Sequence, residues 1–292
     1  MTDPERGGSW RFLHPTDFSA ASELAFAHAL KLTLLTSGEL RVLHVAPDAG
    51  PAGWKNFPGV REALERWRVL PPGSPSSAVP ALGVHIEKVQ AAASDPVSQT
   101  CEFLRQHPAD LIVMATHPRD GFARWRQPSV AAAIGQHAGE IALFVPEGAS
   151  GFVSPHTGEL GLRRILVPVD HVPSPQPAID AAVSLALLAG NAPITFCLLH
   201  VGDTAFPTID APQRATWSWE RQTEPGAAVD CLVASMQEWG PDLLVMTTQG
   251  RHGFMDALRG STTERVLREA RCPLLAVSVS ARALPRLHSL AH

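Results

Sequence analysis

The sequence predicts an α/β protein built as two tandem copies of one five-stranded parallel-sheet sandwich. Three observations carry that expectation. First, Asp110-Leu111-Ile112-Val113-Met114-Ala115-Thr116 returns as Asp242-Leu243-Leu244-Val245-Met246-Thr247-Thr248, 132 positions later. Both runs continue to Gly-Phe, at Gly121-Phe122 and Gly253-Phe254. A repeat of that period is too long for a solenoid unit and suits a small domain. Second, strand-like and helix-like patterns alternate, the signature of a parallel sheet covered on both faces. Third, 292 residues suffice for two domains of about 140 residues, each with its own core.

The elements follow in order. Trp10 to Leu13 reads as a first strand, ending at His14-Pro15-Thr16-Asp17. Ser19 caps a helix over about 20–36, where Leu24, Ala27, His28, Leu32 and Leu35 recur at helical spacing. Leu40 to Val45 is a second strand, Arg61 to Leu70 a helix and Val84 to Ala91 a third strand. Ser94 or Asp95 opens a helix that ends near Gln106, and Leu111 to Ala115 is a fourth strand. Val130 to His137 is a helix and Ile141 to Val145 the fifth strand. The first domain spans 1–146. Glu147 to Gly161, with several Gly, Ser and Pro residues and no apolar periodicity, is expected to be a linker.

The second domain spans 162–281, with a tail over 282–292. Arg164 to Val169 is a strand, Ser174 to Leu188 a helix with Gly190 as its stop, and Phe196 to Val201 a strand. Trp217 to Gln222, Ala227 to Glu238, Leu243 to Thr247, Thr262 to Ala270 and Pro273 to Val277 complete the copy. Leu43-His44-Val45 is echoed by Leu199-His200-Val201 at an offset of 156, not 132. The second copy therefore lacks about 24 residues between its second and third strands, where the first keeps its Arg61–Leu70 helix. One sheet face loses its cover, and an open apolar face is adhesive. The candidates to cover it are Thr204–Ala215, the other domain or another chain.

Composition bounds the function. A net charge of −4 argues against a nucleic-acid or anionic-membrane surface. Cys101, Cys197, Cys231 and Cys272 are scattered without CxxC spacing, as expected of reduced cysteines. Met1 to Trp10 shows no signal-peptide core, and no apolar run reaches the roughly 18 residues of a membrane span. The expected location is cytoplasmic. Lysine is confined to Lys31, Lys55 and Lys88.

The loop after the fourth strand of the second copy carries the chemistry. Gly250, Gly253 and Gly260 let backbone approach a ligand closely. A helix starting at Thr262 presents unpaired N–H groups. Together they suit a polyphosphate, at the carboxyl ends of the strands, where open α/β sheets bind ligands. Ser261-x-x-Glu264 is equally a capping box, which needs no ligand.

On these residues the chain resembles a tandem universal stress protein, over nearly its whole length. Nucleotide-binding members of that family carry Gly-x2-Gly-x9-Gly-Ser/Thr after the fourth strand. Gly250, Gly260 and Ser261 match, and Thr247 stands at the first glycine. The resemblance implies an adenine nucleotide alpha hydrolase-like fold of strand order 3-2-1-4-5, and ATP, with or without Mg2+, as the ligand. Asp170, in Pro168-Val169-Asp170, would approach the adenosine, and backbone at Val201 the adenine edge. Met246, Thr247, Gly250, Arg251, Gly253, Gly260, Ser261, Thr262 and Thr263 would surround the phosphates. Fifth strands pair between domains in the family. Ile141–Val145 and Pro273–Val277 would then make an intramolecular pseudo-dimer, with a homodimer of chains as a further expectation.

The first copy is degenerate. Gly250 becomes Pro118 and Gly260 becomes Pro128, while Ser129 and Asp17 are kept. Proline donates no N–H, so the first domain is expected to bind ATP poorly or not at all. Arg119, Arg124 and Arg126 read as a solvated basic face.

Other chemistries are disfavoured. There is no Walker run, no Gly-x-Ser-x-Gly elbow and no Gly-x-Gly-x-x-Gly after the first strand. The thirteen histidines lack metal-ligand spacing, although His14, His117, His171 and His252 lie near strand carboxyl ends. His44 and His200 read as satisfied core histidines. No residue is an evident general base, so any ATP hydrolysis would be slow. The leading expectation is a regulatory stress-response protein binding an adenine nucleotide in its second domain. The alternatives are a scaffold acting through protein contacts and a slow ATP hydrolase.

Overall fold

A computed structural model describes residues 9–48, 50–116, 141–248, 266 and 269–285. The first half contains β1 (Arg11–Pro15), α1 (Ala20–Thr36), β2 (Glu39–Ala46), α2 (Val60–Arg66), β3 (His85–Ala92), α3 (Pro96–Gln106), β4 (Leu111–Thr116) and β5 (Ile141–Pro146). The second contains β6 (Arg164–Pro168), α4 (Gln176–Leu188), β7 (Ile194–Val201), β8 (Trp217–Glu224), α5 (Ala228–Trp239), β9 (Leu243–Thr248) and β10 (Leu274–Ser278). Short 3-10 turns at Pro51–Asn56, Ser76–Ala78 and Pro80–Leu82 lie between β2 and β3.

All ten strands form one sheet, in the order β3-β2-β1-β4-β5-β10-β9-β6-β7-β8. Each half has the order 3-2-1-4-5 and is parallel within itself. The halves meet where β10 pairs antiparallel with β5, Val277 opposite Ile141 and Leu274 opposite Phe144. Every residue of β5 and β10 is buried. Such strands read as unbroken apolar runs because both faces are covered. Two cores result, each continuous across the seam. α1, α2 and α4 cover one face, and α3 and α5 pack on the other.

Local chemistry sets the helix starts. The Ser19 hydroxyl accepts the Ser22 N–H at 3.2 Å, and Asp95 accepts the Val97 N–H at 3.1 Å ahead of Pro96. The repeated aspartates tie the amino ends of the central strands. Asp110 accepts the Arg11 N–H and its guanidinium, each at 2.9 Å, and Asp242 accepts the N–H groups of Arg163 and Arg164, both at 2.8 Å. The aspartate that opens both runs is thus a clamp at the amino end of its own half.

The connector departs from its reading as a linker. Phe152, Val153 and Leu162 are buried in the same core as α1. The Phe152 ring meets His28 edge-on at 4.5 Å. His28 donates from Nδ1 to the Leu24 carbonyl at 2.8 Å and accepts the Val153 N–H at Nε2, 3.2 Å away. Gly151 lies so close to His28 that a Cβ would collide with the imidazole. Further along, the Pro155 carbonyl accepts Trp67 Nε1–H at 3.0 Å. The start of the expected tail also packs, with Leu284 buried. Of the helix expected over Thr262–Ala270, Val266 and Glu269 are helical. The helix expected over Val130–His137 lies outside the described residues.

Removing the Phe152 ring should leave a cavity. Phe152→Ala is expected to cost about 3–5 kcal/mol in urea unfolding; a side chain of a loose linker would cost within about 0.5 kcal/mol.

His14 and His28 are fully buried and neutral, and burial pushes both imidazoles down to about 4 from the usual 6.5. His14 donates from Nδ1 to the Val113 carbonyl at 2.8 Å, with Ser22 Oγ 3.3 Å from Nε2. The unfolded chain takes up these protons first, so their contribution is complete above pH 6.5 and is lost as pH falls toward 4. Urea midpoints should therefore drop by the equivalent of a few kcal/mol over that window, beginning before most carboxylates protonate. A midpoint flat down to pH 5 would contradict the assignment.

Candidate functional site

Strand order reverses between β1 and β4 in one half and between β6 and β9 in the other. The crevice outside the carboxyl ends at such a point is where open α/β sheets bind ligands. The two crevices share one device. Just past β6, the Val169 carbonyl accepts His200 Nδ1–H at 3.0 Å, and just past β1 the Thr16 carbonyl accepts His44 Nδ1–H at 2.8 Å. The echoed histidines of β2 and β7 thus fix the loops that carry Asp17 and Asp170. A carbonyl can only accept, so Nδ1 holds the proton in both rings. The Thr204 hydroxyl lies 2.9 Å from the second nitrogen of His200 and satisfies it.

The crevices differ at the next residue. Phe18 follows Asp17 and His171 follows Asp170. Phe18 has φ +63°, rare for a bulky side chain. Its ring stacks on His44 with centroids 3.9 Å apart, meets Phe57 edge-on at 5.1 Å, and Phe57 stacks on Trp54. The first crevice is thus packed with its own aromatic rings. In the second, His171 is exposed and points to a backbone carbonyl, that of Ala205, 2.9 Å from Nε2.

The residues expected to form the site divide into three groups. Asp170 is exposed, with Oδ1 accepting the His171 N–H at 2.7 Å, and Pro168 and Val201 are half-buried at the strand ends. These three border the crevice. The side chains of Val169 and Met246 are buried in the cores on opposite faces of the sheet. Both backbone groups of Val169 are used, its N–H on the Leu199 carbonyl at 2.8 Å and its carbonyl by His200. Gly250, Arg251, Gly253, Gly260, Ser261, Thr262 and Thr263 lie outside the described residues, as do Pro118, Pro128, Ser129, Arg119, Arg124, Arg126, His117 and His252.

Thr247 has a definite task that the sequence did not reveal. Its hydroxyl accepts the Ala178 N–H in the first turn of α4 at 3.3 Å. The other donors of that turn are also committed: Gln176 N–H faces Ser174 Oγ at 3.4 Å, Pro177 has none, and Ile179 N–H bonds the Pro175 carbonyl at 3.1 Å. The amino end of α4 therefore has no spare donor for an anion. His14 is committed too, and among the described residues no cluster of three His, Cys, Asp or Glu could hold a metal ion.

The universal stress protein family's sequence profile matches residues 10–139 and 210–278. The chain belongs to this family. Universal stress protein A homolog 2 of Coxiella burnetii is 39% identical over 54 residues, which are 18% of this chain and 36% of that protein. The match thus spans about a third of that curated relative. The crystal structure of a universal stress protein from Archaeoglobus fulgidus superposes with a TM-score of 0.59 at 19% identity, covering 93% of this chain and 97% of that one. A protein of unknown function from Pseudomonas aeruginosa gives 0.57 at 13% identity, covering 93% and 92%. At these identities the likeness is one of fold: the doubled universal-stress-protein sheet.

Thr247 acts as a remote cap for α4, so Thr247→Ala should lower stability by about 1 kcal/mol. Chemical denaturation checks this, with Thr247→Ser, which keeps the hydroxyl, expected to restore most of the loss.

Proposed function

We propose that this universal stress protein binds an adenine nucleotide in its carboxy-terminal half, as a regulatory protein rather than a fast enzyme. The observation that carries the reading is the contrast between the crevices. Above β1 and β2 the slot beside Asp17 is filled by Phe18 stacked on His44. Above β6 and β7 an exposed carboxylate, Asp170, stands beside the strand end at Val201, and among the described residues no ring is stacked on His200 at such a distance.

In this reading Asp170 accepts hydrogen bonds from ribose hydroxyls and backbone at Val201 meets the adenine edge. With the first turn of α4 committed, the phosphates of ATP, with or without Mg2+, fall to Gly250, Arg251, Gly253, Gly260, Ser261, Thr262 and Thr263. Glycines there give backbone N–H groups close access to phosphate oxygens. None of these residues is a general base, so hydrolysis is slow at most. No helix among the described residues is long and apolar enough to cross a membrane, and the reading places the protein in the cytoplasm. A homodimer of chains would add to the internal pairing of β5 with β10.

A scaffold that works through protein contacts is the second reading, and Thr247 favours it. Its side chain stands where the family's nucleotide loop has a glycine, and its hydroxyl already serves Ala178.

The experiment is direct. Protein denatured after purification should release about one ATP or ADP per chain, and titration should give an affinity tighter than millimolar. Gly260→Pro should abolish binding, and Ser129→Ala should leave it intact. Two nucleotides per chain would refute the contrast between crevices, and no affinity below millimolar would favour the scaffold.

A further inference from the structure

The segment that replaces the missing helix does more than cover the sheet. It leaves β7 at Gly202, whose φ of +135° is one that L side chains rarely adopt. It then turns back across the carboxyl edge. The Thr204 hydroxyl meets His200 Nε2 at 2.9 Å, and the Ala205 carbonyl accepts His171 Nε2–H at 2.9 Å. Beyond this point the chain is anchored. Phe206 lies against His200 and under the Arg221 guanidinium, Pro207 is buried and Ile209 packs on the core. Asp210 exchanges two hydrogen bonds with the Gln176 amide, at 2.9 and 3.0 Å, and the Pro212 carbonyl accepts Trp219 Nε1–H at 3.1 Å.

The segment therefore has two parts: an anchor over 206–212, and a short stretch over 202–205 with exposed residues at 203–205, tied down by two side-chain bonds. One tie is made by the residue next to Asp170. The other is made by the histidine that positions the Asp170 loop.

We propose that residues 202–205 form a clasp over the carboxy-terminal crevice, hinged at Gly202 and locked by His171, and that its opening sets how fast ligand passes in and out beside Asp170. The proposal rests on the nucleotide reading above. The lock yields to competition. A ligand oxygen that takes the His171 N–H in passing, from a ribose hydroxyl or a phosphate, releases the Ala205 carbonyl, and the lock re-forms over the bound ligand. The lock is not a proton switch, because neutral imidazole with its proton on Nε2 and imidazolium both donate to that carbonyl. The amino-terminal half has no such lock, since Phe18 stands in the place of His171 and has nothing to donate.

The test uses the full chain and a fluorescent N-methylanthraniloyl ATP in stopped flow. His171→Ala removes the donor to Ala205, and Thr204→Val removes the second tie without touching His171. Each should raise the dissociation rate about fivefold, the worth of one net hydrogen bond, with intrinsic tryptophan emission and urea midpoint marking a folded chain. Binding by His171→Ala where the native chain binds nothing would also support the clasp, as a lock that holds shut. Unchanged dissociation in both folded variants would overturn the clasp and leave the nucleotide reading standing. No binding by the native chain or either variant would overturn both.

Discussion

The pairing of β5 with β10 is the constraint on which the rest of the molecule depends. Each strand is buried along its whole length, so neither can serve as the edge of a separate sheet. An isolated half would present a long, flat, apolar edge with unpaired backbone groups, a template for aggregation. Joining the two edges antiparallel removes the hazard and lets both cores run through the seam. The outer edges left behind, β3 and β8, are of the opposite character. They carry Glu87 and Lys88, and Glu220, Arg221 and Glu224, on mostly exposed or half-buried positions.

The seam also bears on the connector. β5 ends and β6 begins at the same end of the sheet, because the antiparallel seam inverts the second half relative to the first. The chain between them nevertheless makes an excursion over α1 and α2, where it packs. Such a segment exposes backbone polar groups to apolar surroundings unless each finds a partner. His28 supplies an acceptor for the Val153 N–H, and Trp67 and Arg66 donate to the Pro155 carbonyl. Burying His28 there requires it to stay neutral, so part of the fold's acid sensitivity follows from how the connector packs, His14 supplying the rest.

Much of this was legible in the sequence, and the boundary of legibility is physical. The repeated Asp-Leu-Ile/Leu-Val-Met runs revealed the doubling because a strand buried on both faces tolerates few residue types. Ser19 and Asp95 were readable as caps because capping is local. The missing helix was readable as a change of offset. The connector was not, since Phe152, Val153, Leu160 and Leu162 stand apart among Gly, Ser and Pro, and their burial depends on His28 and Trp67 far away in sequence. Thr247 was visible only as a departure from a glycine pattern, because its partner Ala178 lies on another element. Val169 and Met246 were assigned to the site by position alone, and strand alternation sends their side chains into the cores.

The two halves close the same place in the scaffold in two different ways, through a few side chains. Both keep the histidine that grips the loop after the central strand, and both keep the aspartate that the grip positions. The first half then places Phe18 on that histidine and keeps α2 with the 3-10 turn that presents Trp54 and Phe57, so the slot is filled from within at the cost of a strained φ. A residue held at such a φ persists only where its surroundings over-determine it, and two rings, His44 stacked and Phe57 edge-on, do so here. The second half deletes the helix, puts a hydrogen-bonding ring where the phenylalanine stood, and lays a polar-tied segment over the gap. Aromatic packing presents no donor for a ligand oxygen to take. A hydrogen bond to a backbone carbonyl does, because any ligand oxygen can take the same donor. The two crevices thus differ in the kind of closure more than in backbone: ring stacking in one, hydrogen bonds from side chains in the other.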